Sequence, residues 1–116
     1  SDLLTIMQAV TEGKLAETAV EFSDGAACCV VMASGGYPGS YEKGHAITIP
    51  EGLNAQVFVA GAALKDDQLV TSGGRVLGVT ALGENLRAAV DSAYVAAKKI
   101  HFDGAHMRSD IGSKDC

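Results

Sequence analysis

The chain has 116 residues, nearly half of them apolar and one fifth charged, a composition that suits one globular domain, or one domain with part of another, and excludes disorder. Fourteen acidic residues against nine basic ones leave a net charge of −5, which argues against a nucleic-acid surface, since backbone phosphates are held by clustered Lys and Arg. No apolar run reaches the length of a membrane span, and the N-terminus lacks a basic-then-apolar leader pattern, so neither a membrane nor a nucleic-acid partner is expected.

In chain order, Ser1-Asp2 is placed to cap a short helix whose apolar residues Leu3, Leu4, Ile6, Met7 and Val10 recur at helical spacing until Gly13. That stripe needs a partner surface. A neighbouring lobe upstream is one candidate, and a second copy of the chain, giving a homodimer through this helix, is the other. The run Ala26–Ala33, bounded by Asp24-Gly25 and Ser34-Gly35-Gly36, reads as a strand covered on both faces. It holds Cys28 and Cys29. Adjacent cysteines rarely reach disulfide geometry with each other, so both are expected as reduced, buried, small hydrophobes in a cytoplasmic setting. Cys116 ends the chain.

A glycine-rich loop follows from Gly35 to Gly44, then a short strand from Ala46 to Ile49 ending at Pro50. Gln56 to Leu64 and Gln68 to Thr71 have the pattern of one hairpin turning at Lys65-Asp66-Asp67, with Gly61 as a bulge. Arg75 to Ala81 is a further strand. Glu84 to His101 is the clearest helix, with Leu86, Val90, Ala93, Ala97 and Ile100 along one face and alanines that allow close approach to a sheet. After Gly104 the tail Met107 to Gly112 is expected to be short and extended. The expected class is α+β: several short strands closed by one long helix.

Few residues offer chemistry. Gly39 to Gly44 has the glycine spacing of a phosphate-binding loop, but His45 stands where that loop requires lysine. His45, His101 and His106 lack metal-ligand spacing, and Asp66-Asp67 sits at a hairpin tip. Arg75 and Arg108 remain. Each can be a plain surface arginine, yet each lies near a glycine turn, at Gly73-Gly74 and Gly112, where backbone amides can also face an anion. A guanidinium offers a planar fork of donors suited to carboxylate or phosphate.

Three segments together carry a resemblance. They are Val31-Met32-Ala33-Ser34-Gly35-Gly36-Tyr37-Pro38-Gly39-Ser40-Tyr41-Glu42-Lys43-Gly44, the stretch Val70-Thr71-Ser72-Gly73-Gly74-Arg75-Val76-Leu77-Gly78-Val79-Thr80-Ala81-Leu82-Gly83, and Arg108-Ser109-Asp110-Ile111-Gly112. In order and spacing they resemble the C-terminal part of the phosphoribosylamine–glycine ligase (glycinamide ribonucleotide synthetase) family, over nearly the entire chain. The resemblance implies an ATP-grasp enzyme of purine biosynthesis that joins glycine to 5-phosphoribosylamine through an acyl phosphate, using ATP and Mg2+ held upstream of this chain. Residues 1–33 would then be the tail of the ATP-grasp domain and residues 34–116 the small β-rich C-terminal domain. The rest of the enzyme would be the partner, and the 116 residues alone would be inactive, with no catalytic or metal residue of their own. Arg75, Gly73, Gly74 and Arg108 are the substrate-binding candidates.

The chain departs from the family's usual pattern in places. Phe58-Val59-Ala60-Gly61-Ala62 stands where Phe-His-Ala-Gly-Thr is usual, Ser72 replaces Asn or His, and Ala105-His106-Met107 replaces a more aromatic stretch. Val59 and Ala62 keep open the alternative of a non-catalytic binding or interaction module of the same fold. A free-standing anion-binding domain is a third, weaker reading.

Overall fold

The computed structural model describes residues 1–114. Among these residues two α-helices, α1 (Leu3–Thr11) and α2 (Leu86–Ala97), accompany five strands: β1 (Ala26–Ala33), β2 (Gln56–Val59), β3 (Ala62–Lys65), β4 (Gln68–Thr71) and β5 (Arg75–Gly83). The α+β expectation holds. Strands β1, β5 and β2 form an antiparallel sheet with β5 in the middle, and β3 and β4 form a separate two-stranded sheet.

β5 is central because its sequence can be buried from both ends of the pleat. Val76, Leu77 and Val79 are at most 1% exposed, and burying each contributes about 1.5–3 kcal/mol relative to leaving it in water. Its partner positions on β1, Cys28, Val30 and Met32, are buried too, opposite Ala81, Val79 and Leu77. α2 covers this side. Asn85 caps it by accepting a hydrogen bond from the Ala88 amide at 2.9 Å. Ala89, Ala93, Ala96 and Ala97 form the buried face. Gly83 is required where the helix meets the sheet, since a Cβ there would lie 2.4 Å from the Ala89 nitrogen. The helix is shorter than the expected 84–101: capping by Asn85 leaves Glu84 outside, and the chain turns after Lys98 so that Ile100 still reaches the core.

Five more expectations change. β1 is covered on one face only, because nothing among the described residues lies over Ala27, Cys29 and Val31, which are exposed. Cys28 is buried as expected but Cys29 is not; Cys116 lies outside the described residues. The single hairpin is two elements: β2 pairs with β5, then the chain bends at Gly61 and β3 pairs with β4. Gly61 packs against the Gly73 backbone, where a Cβ would meet Gly73 Cα at 2.9 Å and the Arg75 carbonyl oxygen at 2.5 Å. The chain changes sheet at this close contact. The β3–β4 turn itself is as read, with Asp66 and Asp67 both at positive φ, as tight two-residue hairpin turns need. Ala46 to Ile49 makes isolated bridges, Ala46 to Val70 and Thr48 to His101, because neighbours differ on its two sides. The tail is not extended: after a bridge from His106 to Ala33 it turns at Asp110.

Residues 1–25 contribute nothing to the main buried cluster. α1 is capped as expected, Asp2 accepting from the Thr5 amide at 2.9 Å and the Thr5 hydroxyl at 2.8 Å. Those bonds, the side-chain one first, hold the Asp2 carboxyl below its ordinary pKa. Leu3, Leu4, Met7 and Val10 are 56–63% exposed. No helix among the described residues is long and apolar enough to cross a membrane.

Candidate functional site

The site forms where the glycine-rich loop after β1 meets the turn before β5. Ser34, 3% exposed, donates from its hydroxyl to the Gly73 carbonyl and from its amide to the Gly74 carbonyl, both at 2.8 Å. The Tyr37 ring occupies the space beside Gly74, where a Cβ would lie 2.1 Å from its Cδ2. Both glycines are thus accounted for within the fold: Gly74 admits Tyr37 and Gly73 admits Gly61. Neither has the left-handed backbone that would by itself demand glycine.

Arg75 follows at once, opposite a register shift in the β1–β5 ladder between Met32 and Ala33. Such irregularities re-aim side chains and are common beside sites. Arg75 is exposed, and its guanidinium makes no hydrogen bond or ion pair among the described residues. It lines a surface hollow of about 510 Å³ together with Val31, Tyr37, Phe58 and Gly78. It also lines an adjoining hollow of about 450 Å³ with Tyr37, Pro38, His106 and Arg108. The two predicted arginines therefore share one concave region, floored by the open face of the sheet.

Arg108 is in a different state. Its Nε and second terminal nitrogen donate to the two carboxylate oxygens of Asp110 at 2.8 and 2.7 Å. This fork raises the Arg108 pKa and lowers that of Asp110, in each case chiefly through the side-chain hydrogen bond. The Arg108 carbonyl accepts a hydrogen bond from the Tyr94 hydroxyl of α2, which anchors the turn.

Tyr37 and His106 line the hollows although neither is among the substrate-binding candidates, His106 being weighed only as a metal ligand. The loop glycines around Tyr37 were the available signal; for His106 there was none, since its place depends on the bridge to Ala33. Val59 and Ala62 line neither hollow. Among the described residues no group of three or more His, Cys, Asp or Glu could hold a metal ion. The magnesium implied by the resemblance, which that resemblance places upstream of this chain, finds no ligand set among them.

The model of the family described as phosphoribosylglycinamide synthetase, C domain, matches residues 27–114. The chain belongs to this family. A phosphoribosylamine–glycine ligase of Rhodopirellula baltica is 51% identical over 119 residues, covering 98% of this chain and 27% of the relative. The trifunctional purine biosynthetic protein adenosine-3 of Gallus gallus is 48% identical over 116 residues, which are 97% of this chain and 12% of that protein. The crystal structure of a phosphoribosylamine–glycine ligase from Thermotoga maritima superposes with a TM-score of 0.77 at 44% identity, covering 91% of this chain and 27% of that one. A synthetase C domain of this kind thus spans about a quarter of the length of the bacterial ligases it matches. In this C domain the family match covers β1 to the tail turn and leaves α1 outside.

Proposed function

We propose that this C domain completes the active site of a phosphoribosylamine–glycine ligase, with Arg75 binding an anionic reactant. The single observation that carries the reading is a guanidinium without partner among the described residues, lining a hollow on a hydrogen-bonded turn. An arginine in that condition can form charge-assisted, two-pronged bonds to a phosphate or carboxylate without first breaking an ion pair. The phosphate of 5-phosphoribosylamine, or the phosphoryl oxygens being transferred, is the anion assigned to it. Arg108 takes a lesser part, because Asp110 already neutralises it.

In this reading glycine and 5-phosphoribosylamine are the substrates, and ATP with Mg2+ is held by an ATP-grasp part that precedes this chain. When bound, ATP and magnesium supply the activated phosphoryl group. The C domain supplies positive charge and walls of the cleft. The exposed stripe of α1 packs on that preceding part in a cytoplasmic enzyme. We draw the boundary between the two ahead of Ala26 and not after Ala33, since β1 shares the sheet of β5 along its whole length. The names of the Rhodopirellula and Thermotoga relatives favour the catalytic reading over a pure interaction module.

The test is an assay of the complete polypeptide that carries this chain, supplied with ATP, magnesium, glycine and 5-phosphoribosylamine. Release of ADP that depends on both substrates is expected. The 116 residues alone are expected to release none. A complete polypeptide that binds its partners yet forms no glycinamide ribonucleotide would refute the reading.

A further inference from the structure

Arg75 has no side-chain partner among the described residues, yet the backbone on both sides of it is tied. Gly61 donates from its amide to the Arg75 carbonyl at 2.9 Å, and its own carbonyl accepts from the Ser72 and Gly73 amides at 2.8 and 3.0 Å. Ser34 closes the other side with two bonds, one from its hydroxyl and one from its amide. The hydroxyl bond joins residues 39 apart in sequence. It is also the sole side-chain hydrogen bond to this turn among the described residues.

Fixing a cation before its ligand arrives lowers the ordering cost of binding, and small misplacements of such groups cost rate. A buried serine hydroxyl must find an acceptor. Here the acceptor is the Gly73 carbonyl, two residues before the arginine. Tyr37 adds bulk against Gly74 but no polar tie.

We propose that Ser34 is a positioning residue, whose hydroxyl holds the Gly73-Gly74 turn so that Arg75 meets the anionic reactant already aimed. The proposal rests on Arg75 being the anion contact. It differs from that reading in making a second, buried residue part of the binding machinery through the turn and not through contact with substrate.

A double-mutant cycle in the complete ligase tests it. The quantity read is kcat/KM for 5-phosphoribosylamine in the parent, Ser34→Ala, Arg75→Met and the double variant, with a melting temperature for each. Ser34→Ala is expected to lower kcat/KM about 3- to 10-fold, the scale of one net hydrogen bond. In the Arg75→Met background the same change is expected to cost less than about twofold, because an aim without a guanidinium has no use. The melting shift caused by Ser34→Ala is expected to be equal in both backgrounds. Equal fold losses in both backgrounds would overturn the positioning role and leave the Arg75 contact standing. Loss of effect from Arg75→Met itself would remove the contact, and positioning with it. If Ser34→Ala does not fold, Ser34→Cys, nearly the same size with a weaker donor, runs the same cycle.

Discussion

Arg75 and Arg108 lie near glycines, line the same hollow and belong to the same protein, but their guanidiniums are in opposite states. Arg75 stands on a turn tied by Ser34 and Gly61, and its guanidinium makes no bond among the described residues. Arg108 is forked onto Asp110, two residues along the chain. The contrast shows that an arginine's availability is decided less by glycine context than by whether a carboxylate can reach it. In the proposed function, a tied backbone with an untied side chain makes Arg75 a prepared site. A side chain already satisfied by its neighbour is a piece of structure.

Arg75→Met is the sharpest way to break that contrast. Loss of a charge-assisted bond is expected to lower kcat/KM for 5-phosphoribosylamine in the complete ligase by about 10- to 100-fold, with Arg75→Lys recovering only part. An unchanged kcat/KM would put the two arginines on an equal footing.

Gly74→Ala attacks the turn in place of the charge. Its methyl would stand 2.1 Å from Tyr37 Cδ2, so the ring must move, at a cost of about 1–3 kcal/mol in stability. Denaturant unfolding measures that, and a wild-type midpoint would mean the ring yields freely.

Arg108→Met is expected to leave kcat/KM within about twofold, since exposed ion pairs contribute little. A larger loss would show Arg108 leaving Asp110 to bind substrate. The pH dependence of the same pair has a defined sign. Arg108 depresses the Asp110 carboxyl pKa, so the pair's contribution is full above the ordinary carboxylate range and disappears as pH falls through the lowered value. Asp110→Asn is expected to flatten stability against pH only in that acid region, by a small amount, as read from melting curves between neutral pH and strong acid.

The smallest and most concentration-dependent effect concerns α1. In the isolated 116 residues, the stripe of Leu3, Leu4, Met7 and Val10 is expected to drive homodimerisation at high concentration, and Leu4→Glu with Met7→Glu to abolish it. A strictly monomeric parent by light scattering would count against this.

Local chemistry made much of the fold legible. Asp2 and Asn85 cap their helices, Gly13 stops the first, and Asp66-Asp67 turns the β3–β4 hairpin. The apolar runs of β1 and β5 marked the two strands with the deepest burial. Each of these depends on residues a few positions apart, so pattern and propensity suffice. The lining of the hollows was half legible: Arg75 stood out as a candidate through its glycine turn, while Tyr37 and His106 did not.

What the amino-acid order alone determined was the set of elements, the family resemblance and the arginine worth testing. Only the tertiary structure decided that β2 leaves its apparent hairpin for β5, that one face of β1 stays open, and that the glycine pair serves Gly61 and Tyr37. The physical reason is the same in all three: close approach of backbones and rings distant in sequence is set by packing in three dimensions, which no local pattern records.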